Sequence, residues 1–134
     1  MNIYKKHMVD KNDIQSIIVN GVGTGFVVKT KIPYYRGVCL SLVEDITVRF
    51  NNRVFTKEQL TFSVGDETYT FEEMATITTI RWEYGEKATI FVPLKGGFPL
   101  GNHTVEVTVA IRISYMGGAF PFSVVLEDVC PMEG

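Results

Sequence analysis

The residues that could do chemistry in this sequence are few and widely spaced. There are two histidines and two cysteines. His7 lies in the N-terminal segment, and His103 follows Gly101-Asn102, a pair that suits a turn. Zinc sites draw ligands from closely spaced His and Cys, and no His-x-His or Cys-x-x-Cys spacing occurs. A complete metal site within the chain is therefore not expected, and His103 reads better as a turn residue than as a functional one. Cys39 and Cys130 sit in no recognisable nucleophile sequence, and there is no G-x-S-x-G elbow. Glu72 and Glu73 are neighbours, but successive side chains on a helix point in different directions. Carboxylates distant in sequence can still meet in a fold, so a hydrolase assembled from scattered Asp and Glu stays open at this stage.

Gly21-Val22-Gly23-Thr24-Gly25 invites a phosphate-binding reading. Such a loop needs the G-x-G-x-x-G spacing and a helix N-terminus behind it, whose amides hold the anion. Here Phe26-Val27-Val28-Lys29-Thr30 follows and reads as strand, so a glycine turn or bulge is expected instead.

What the sequence does concentrate is aromatic and arginine surface. Pro33-Tyr34-Tyr35-Arg36-Gly37, Arg81-Trp82-Glu83-Tyr84 and Tyr115-Met116-Gly117-Gly118 mix broad apolar area with polar handles. That mixture serves protein interfaces and sugar-stacking surfaces. The same residue types also fill β-sheet cores, with Arg36 and Arg81 reaching to solvent. Both readings stand for Trp82 and for the Tyr34–Tyr35 pair.

The elements that would position these clusters are strands. From Asn102 to Tyr115, Val105, Val107, Val109, Ile111, Ile113 and Tyr115 alternate with Glu106, Thr108, Ala110, Arg112 and Ser114. On a helix these apolar residues would spread around the cylinder; on a strand they form one buried face. Eleven residues at about 3.3 Å each make a strand of roughly 36 Å. Ile46, Val48 and Phe50 show the same period before Asn51-Asn52, a hairpin signal, with Arg53-Val54-Phe55 returning. Leu60, Phe62 and Val64 lead to Gly65-Asp66, with Thr68-Tyr69-Thr70-Phe71 returning. Ile80, Trp82 and Tyr84 precede a Gly85-Glu86 turn, with Ala88, Ile90 and Val92 beyond it; Pro93 ends that strand or marks it as an edge. Thr56-Lys57-Glu58-Gln59 and Thr70-Phe71-Glu72-Glu73 fit capping boxes, each opening a turn or two of helix. The expected fold is all-β, an antiparallel sandwich with one or two very short helical turns. Residues 1–12 and 127–134 are expected to be loosely held ends.

Composition agrees with one globular domain spanning residues 1–134. The chain is 46% hydrophobic and 21% charged, with a formal net charge of −2. Lys5-Lys6-His7 is the densest basic stretch, too little for a nucleic-acid surface. Met1 to Asp10 holds no apolar h-region, and no apolar run nears the roughly 18 residues of a membrane span, so a cytoplasmic protein with reduced thiols is expected.

The aromatic segments also carry a family resemblance. Pro33-Tyr34-Tyr35-Arg36-Gly37-Val38-Cys39-Leu40-Ser41, Arg81-Trp82-Glu83-Tyr84-Gly85, Pro99-Leu100-Gly101-Asn102-His103-Thr104-Val105-Glu106-Val107 and Arg112-Ile113-Ser114-Tyr115-Met116 resemble the small β subunits of bacterial C-glycoside deglycosidases. The likeness spans about residues 22 to 116. It implies a β-sandwich bound to a larger TIM-barrel α subunit that holds a divalent metal such as manganese. It further implies cleavage of the carbon–carbon bond between a 3-oxo-sugar and a flavonoid-type aglycone, by deprotonation and β-elimination. On that view this chain holds no cofactor and no catalytic residue. Tyr34, Tyr35, Arg36, Arg81, Trp82, Tyr84, Tyr115 and Met116 become candidates for the subunit interface or the substrate entrance. A free-standing carbohydrate-binding module, stacking sugars on Trp82, Tyr34 or Tyr35, is the alternative.

Overall fold

The computed structural model describes residues 9, 13–31, 37–65, 67–77, 80–83, 86–94, 96, 102–113 and 118–129. The chain order begins with β1 (Ile14–Val19), β2 (Val22–Lys31), β3 (Val38–Cys39), β4 (Val43–Phe50) and β5 (Arg53–Phe55). It continues with β6 (Thr61–Val64), β7 (Glu67–Thr70), a single helical turn α1 (Phe71–Met74), β8 (Arg81–Trp82), β9 (Lys87–Pro93), β10 (His103–Ile113) and β11 (Gly118–Val129). Two larger antiparallel sheets form, ordered β1-β2-β9-β6-β7 and β11-β10-β4-β5, with β3-β8 as a two-stranded third. This is the expected all-β sandwich.

Period-two sequence drives the packing. In β10, Val105, Val107, Val109 and Ile111 are wholly buried, and β4 pairs with it so that Val48 faces Val107 and Ile46 faces Val109. The second sheet answers with Phe26 and Val28 of β2, Ile90 and Val92 of β9, and Phe62 and Val64 of β6, all in the same buried cluster. Phe26 and Phe50 meet between the sheets at 5.9 Å. On the outer face of the four-stranded sheet the same alternation sets polar groups side by side. Arg49 pairs with Glu106, and the Thr108 and Ser123 hydroxyls lie 2.7 Å apart. Exposed pairs like these contribute well under about 1 kcal/mol each, so the buried face carries the sheet.

The turns follow local chemistry. Asn51 takes a φ of 52° at the β4–β5 hairpin, and Gly65 a φ of 64° at the β6–β7 hairpin, positive values that Asn and Gly tolerate. Both capping sequences act as caps. Glu73 Oε1 accepts from the Thr70 amide at 2.9 Å while the Glu73 amide donates back to Thr70 Oγ1. Gln59 Oε1 accepts from the Thr56 amide at 3.0 Å, heading the 3-10 turn Lys57–Gln59. Pro93 closes β9, an inner strand between β2 and β6.

Three elements depart from the expectation. The strand before Gly85-Glu86 does not return onto β9: β8 pairs with β3, Val38 opposite Trp82 and Cys39 opposite Arg81. The backbone groups of this segment are taken by the β3 side, where the Leu40 amide donates to the Ile80 carbonyl and the Ser41 amide to the Ile77 carbonyl. The Glu86 amide turns the chain by donating to the Glu83 carbonyl. β1 and β11 are strands the alternation did not single out. β11 runs past Glu127 to Val129, which is buried and opposite His103, beyond the point where the sequence placed the start of a loose tail. Among the described residues no helix is long and apolar enough to cross a membrane.

Candidate functional site

The candidate cluster with described members lies where β3 and β8 meet. Their two-residue ladder is extended by backbone bonds from Leu40 to Ile80 and from Ser41 to Ile77, each 3.0 Å. This brings Gly37 against Glu83, although 46 residues separate them in the chain. Gly37 is required there: a Cβ would lie 2.8 Å from both the Trp82 carbonyl and the Glu83 carboxylate. A carbonyl wedged so close leaves no room for a side chain, so the approach of the two segments depends on glycine.

Arg81 and Trp82 then point to opposite sides, as neighbours on a strand must. Trp82 is wholly buried, edge-on to Phe62 at 5.4 Å and 71°. Its indole N–H donates to the Glu86 carbonyl at 2.8 Å, the partner a buried indole needs. Of the two readings for Trp82, the core reading is the observed one. Within this chain the ring presents no face on which a sugar could stack, and the stacking alternative loses its tryptophan.

Arg81 is exposed and held in a fixed pose. Its Nη2 donates to the Gly37 carbonyl at 2.8 Å, its Nε to Glu83 Oε1 at 2.9 Å, and its Nη1 lies 3.9 Å from Cys39 Sγ. A guanidinium held by these partners while about half exposed is preorganised, the form in which arginine contributes at interfaces. The structure therefore brings Arg81 to the surface and withdraws Trp82 from it. Tyr34, Tyr35, Arg36, Tyr84, Tyr115 and Met116 lie outside the described residues.

His103 takes a structural post. Asn51 Oδ1 accepts from the Thr104 amide at 3.0 Å, which turns Nδ2 toward His103 Nδ1, also at 3.0 Å. An amide N–H facing a ring nitrogen makes Nδ1 the acceptor. The ring packs on Phe50 at 5.0 Å, so His103 fastens the β4–β5 turn to the start of β10. Among the described residues no three His, Cys, Asp or Glu side chains form a group that could hold a metal ion.

One exposed feature escaped the sequence reading. Ile18, Val19 and Val22 stand at the end of the β1–β2 hairpin with 37%, 53% and 62% of their surface exposed. The signal was present as an apolar pair flanking Asn20-Gly21, a hairpin dipeptide.

Comparison with known proteins gives this surface a context. Residues 4–115 match the family model described as C-glycoside deglycosidase beta subunit. A protein of that description from Eubacterium cellulosolvens is 35% identical over 114 residues, covering 81% of this chain and 78% of the relative. Another, from Arthrobacter globiformis, is 29% identical over 93 residues, 69% of this chain and 70% of the relative. A 3'-dehydrocarminate deglycosidase beta subunit from a Microbacterium species is 28% identical over 103 residues, 75% of this chain and 74% of the relative.

Proposed function

The chain belongs to the C-glycoside deglycosidase beta subunit family, and on that premise we propose that it is the small subunit of a two-component carbon–carbon lyase. The match across residues 4–115 carries this reading. The larger partner is a TIM barrel holding a divalent metal such as manganese, and the substrate is a 3-oxo-C-glycoside. This chain supports assembly and shapes the substrate entrance, and it acts in the cytoplasm.

The chemistry explains why a keto sugar is needed. An aryl carbon on C1 is a poor leaving group unless a carbanion forms next to it. A carbonyl at C3 acidifies the C2 proton. A base on the partner removes that proton, the C2–H electrons form the C1=C2 double bond, and the C1–aryl pair departs with the aglycone, which takes up a proton on its carbon. The name of the Microbacterium relative, specifying a 3'-dehydro compound, supports the 3-oxo requirement. In this scheme Arg81, pinned by Gly37 and Glu83, is a contact to the partner. Tyr34, Tyr35, Arg36, Tyr84, Tyr115 and Met116 are the further candidates that the sequence offers for contact with the partner or the substrate entrance.

Co-expression with a TIM-barrel α-subunit candidate from the same organism tests the reading. One hetero-oligomer that releases aglycone from a 3-oxo-C-glycoside, and stops when metal is chelated, is the expected result. Two proteins that elute separately and show no activity when mixed would overturn it.

A further inference from the structure

The β1–β2 hairpin carries the main cluster of exposed large hydrophobics among the described residues; Val54 and Val125 stand apart on other strands. Val19 and Val22 are direct cross-strand partners and so share one face of the hairpin, while Ile18 stands opposite Gly23. Adjacent residues on a strand point to opposite sides, so Ile18 projects from the other face. Gly23 has no side chain to cover it. The tip is apolar on both of its faces.

The hairpin is neutral as well as apolar. Between Asp13 and Lys29 there is no charged side chain. It is also stiff. Asn20 and Gly21 hold φ values of 52° and 78°, the paired positive angles of a tight two-residue hairpin turn. Behind the tip, the Leu94 amide donates to the Thr24 carbonyl at 3.2 Å and the Gly96 amide to the Gly23 carbonyl at 3.1 Å. A tip fixed in this way loses little conformational freedom on binding.

These features say what can cover it. Three aliphatic side chains this exposed offer on the order of 300 Å², the size of a functional surface patch but far below the roughly 800 Å² per partner of a stable interface. A second copy of this chain meeting tip to tip would therefore fall short. A flat surface would cover only one of the two apolar faces. A cleft covers both, and the tip then acts as an anchor within a larger contact. We infer that the β1–β2 hairpin tip is a docking anchor that enters an uncharged, apolar cleft on the larger partner subunit. The inference rests on the subunit reading above, and the hairpin lies within the stretch matched to the family.

The test uses the full chain and the TIM-barrel α-subunit candidate with which it co-assembles. Affinity is measured by titrating the partner with wild type, with Val19→Ser/Val22→Ser, with the shape-conserving Val19→Thr/Val22→Thr, and with Val54→Ser/Val125→Ser as a control. The tip variants should bind at least about 30-fold more weakly, the equivalent of losing one central anchor. Their melting temperatures should be unchanged, and the control should bind as wild type does. If wild type binds and the tip variants bind equally well, the anchor is refuted while the subunit reading stands. If wild type itself does not bind the partner, both fail. If the tip variants lose only self-association of the isolated chain, the occupant is a second copy and the inference is overturned. Should the serine variant misfold, the threonine variant, which keeps the β-branched shape, decides the question.

Discussion

Trp82 touches Phe62, sits wholly inside the core and donates its indole N–H to Glu86. Trp82→Ala is expected to cost about 3–5 kcal/mol in urea unfolding, as large aromatic truncations do. Trp82→Phe keeps much of the volume but strands the Glu86 carbonyl, for about 1–3 kcal/mol. Glu58 makes a different, pH-dependent contribution. Its own backbone amide, then the Thr56 hydroxyl, hold its carboxyl below the ordinary value of 4.5. A lowered folded-state pKa stabilises the fold above the unfolded value, and the benefit disappears as pH falls through the lowered one. Glu58→Gln should therefore be less stable than wild type at neutral pH, with the gap closing in acid below 4.5; a gap that persists there would refute the assignment. At this scale the sequence was legible only in part. Caps and hairpin residues declare themselves because the bonds they make are local. Trp82 could not, since a tryptophan flanked by Arg and Glu has the same sequence in a core as at an interface. Only the pairing of β8 with β3, made by residues more than 40 positions apart, decides which way it faces.

β2 and β9 approach so closely at Gly25 that a Cβ would collide with the Val92 carbonyl oxygen and the Phe91 ring. Backbone cannot give way as a flexible side chain can. Gly25→Ala should cost about 1–3 kcal/mol, read as a lower melting temperature together with faster amide exchange along both strands. Strands differed in how plainly they could be read, and the reason is their burial. β10 and β4 are covered on one face only, so they alternate cleanly. β8 has two residues and no period to show. In β11, Phe122, Val124 and Leu126 do alternate, but Pro121 and the small residues at its start break the pattern. Proline is tolerated there because β11 is an edge strand.

At the scale of the molecule, the two sheets share one buried apolar cluster, and salt bridges only trim its borders. The Lys87 ammonium lies 2.6 Å from Asp13 Oδ1 and ties the start of β9 to the segment leading into β1. The family match stops at residue 115, yet β11 begins at Gly118 and pairs along β10 from His103 to Ile113. Removing residues 118–134 would open the outer edge of β10 and uncover the flank of its valine row. Open hydrophobic edges recruit other strands, so the truncated chain is expected in the insoluble fraction; a soluble, monomeric product would refute that role for β11. The same strand order bears on how the protein is made. β4 finds its central neighbour in β10, about 50 residues later in the chain. At the roughly 5–20 residues per second of synthesis, the β4–β5 hairpin leaves the ribosome some 3–10 s before the strand that pairs with β4. During that interval the edge of β4 that β10 will occupy has no partner, and slower translation lengthens the exposure of that open edge.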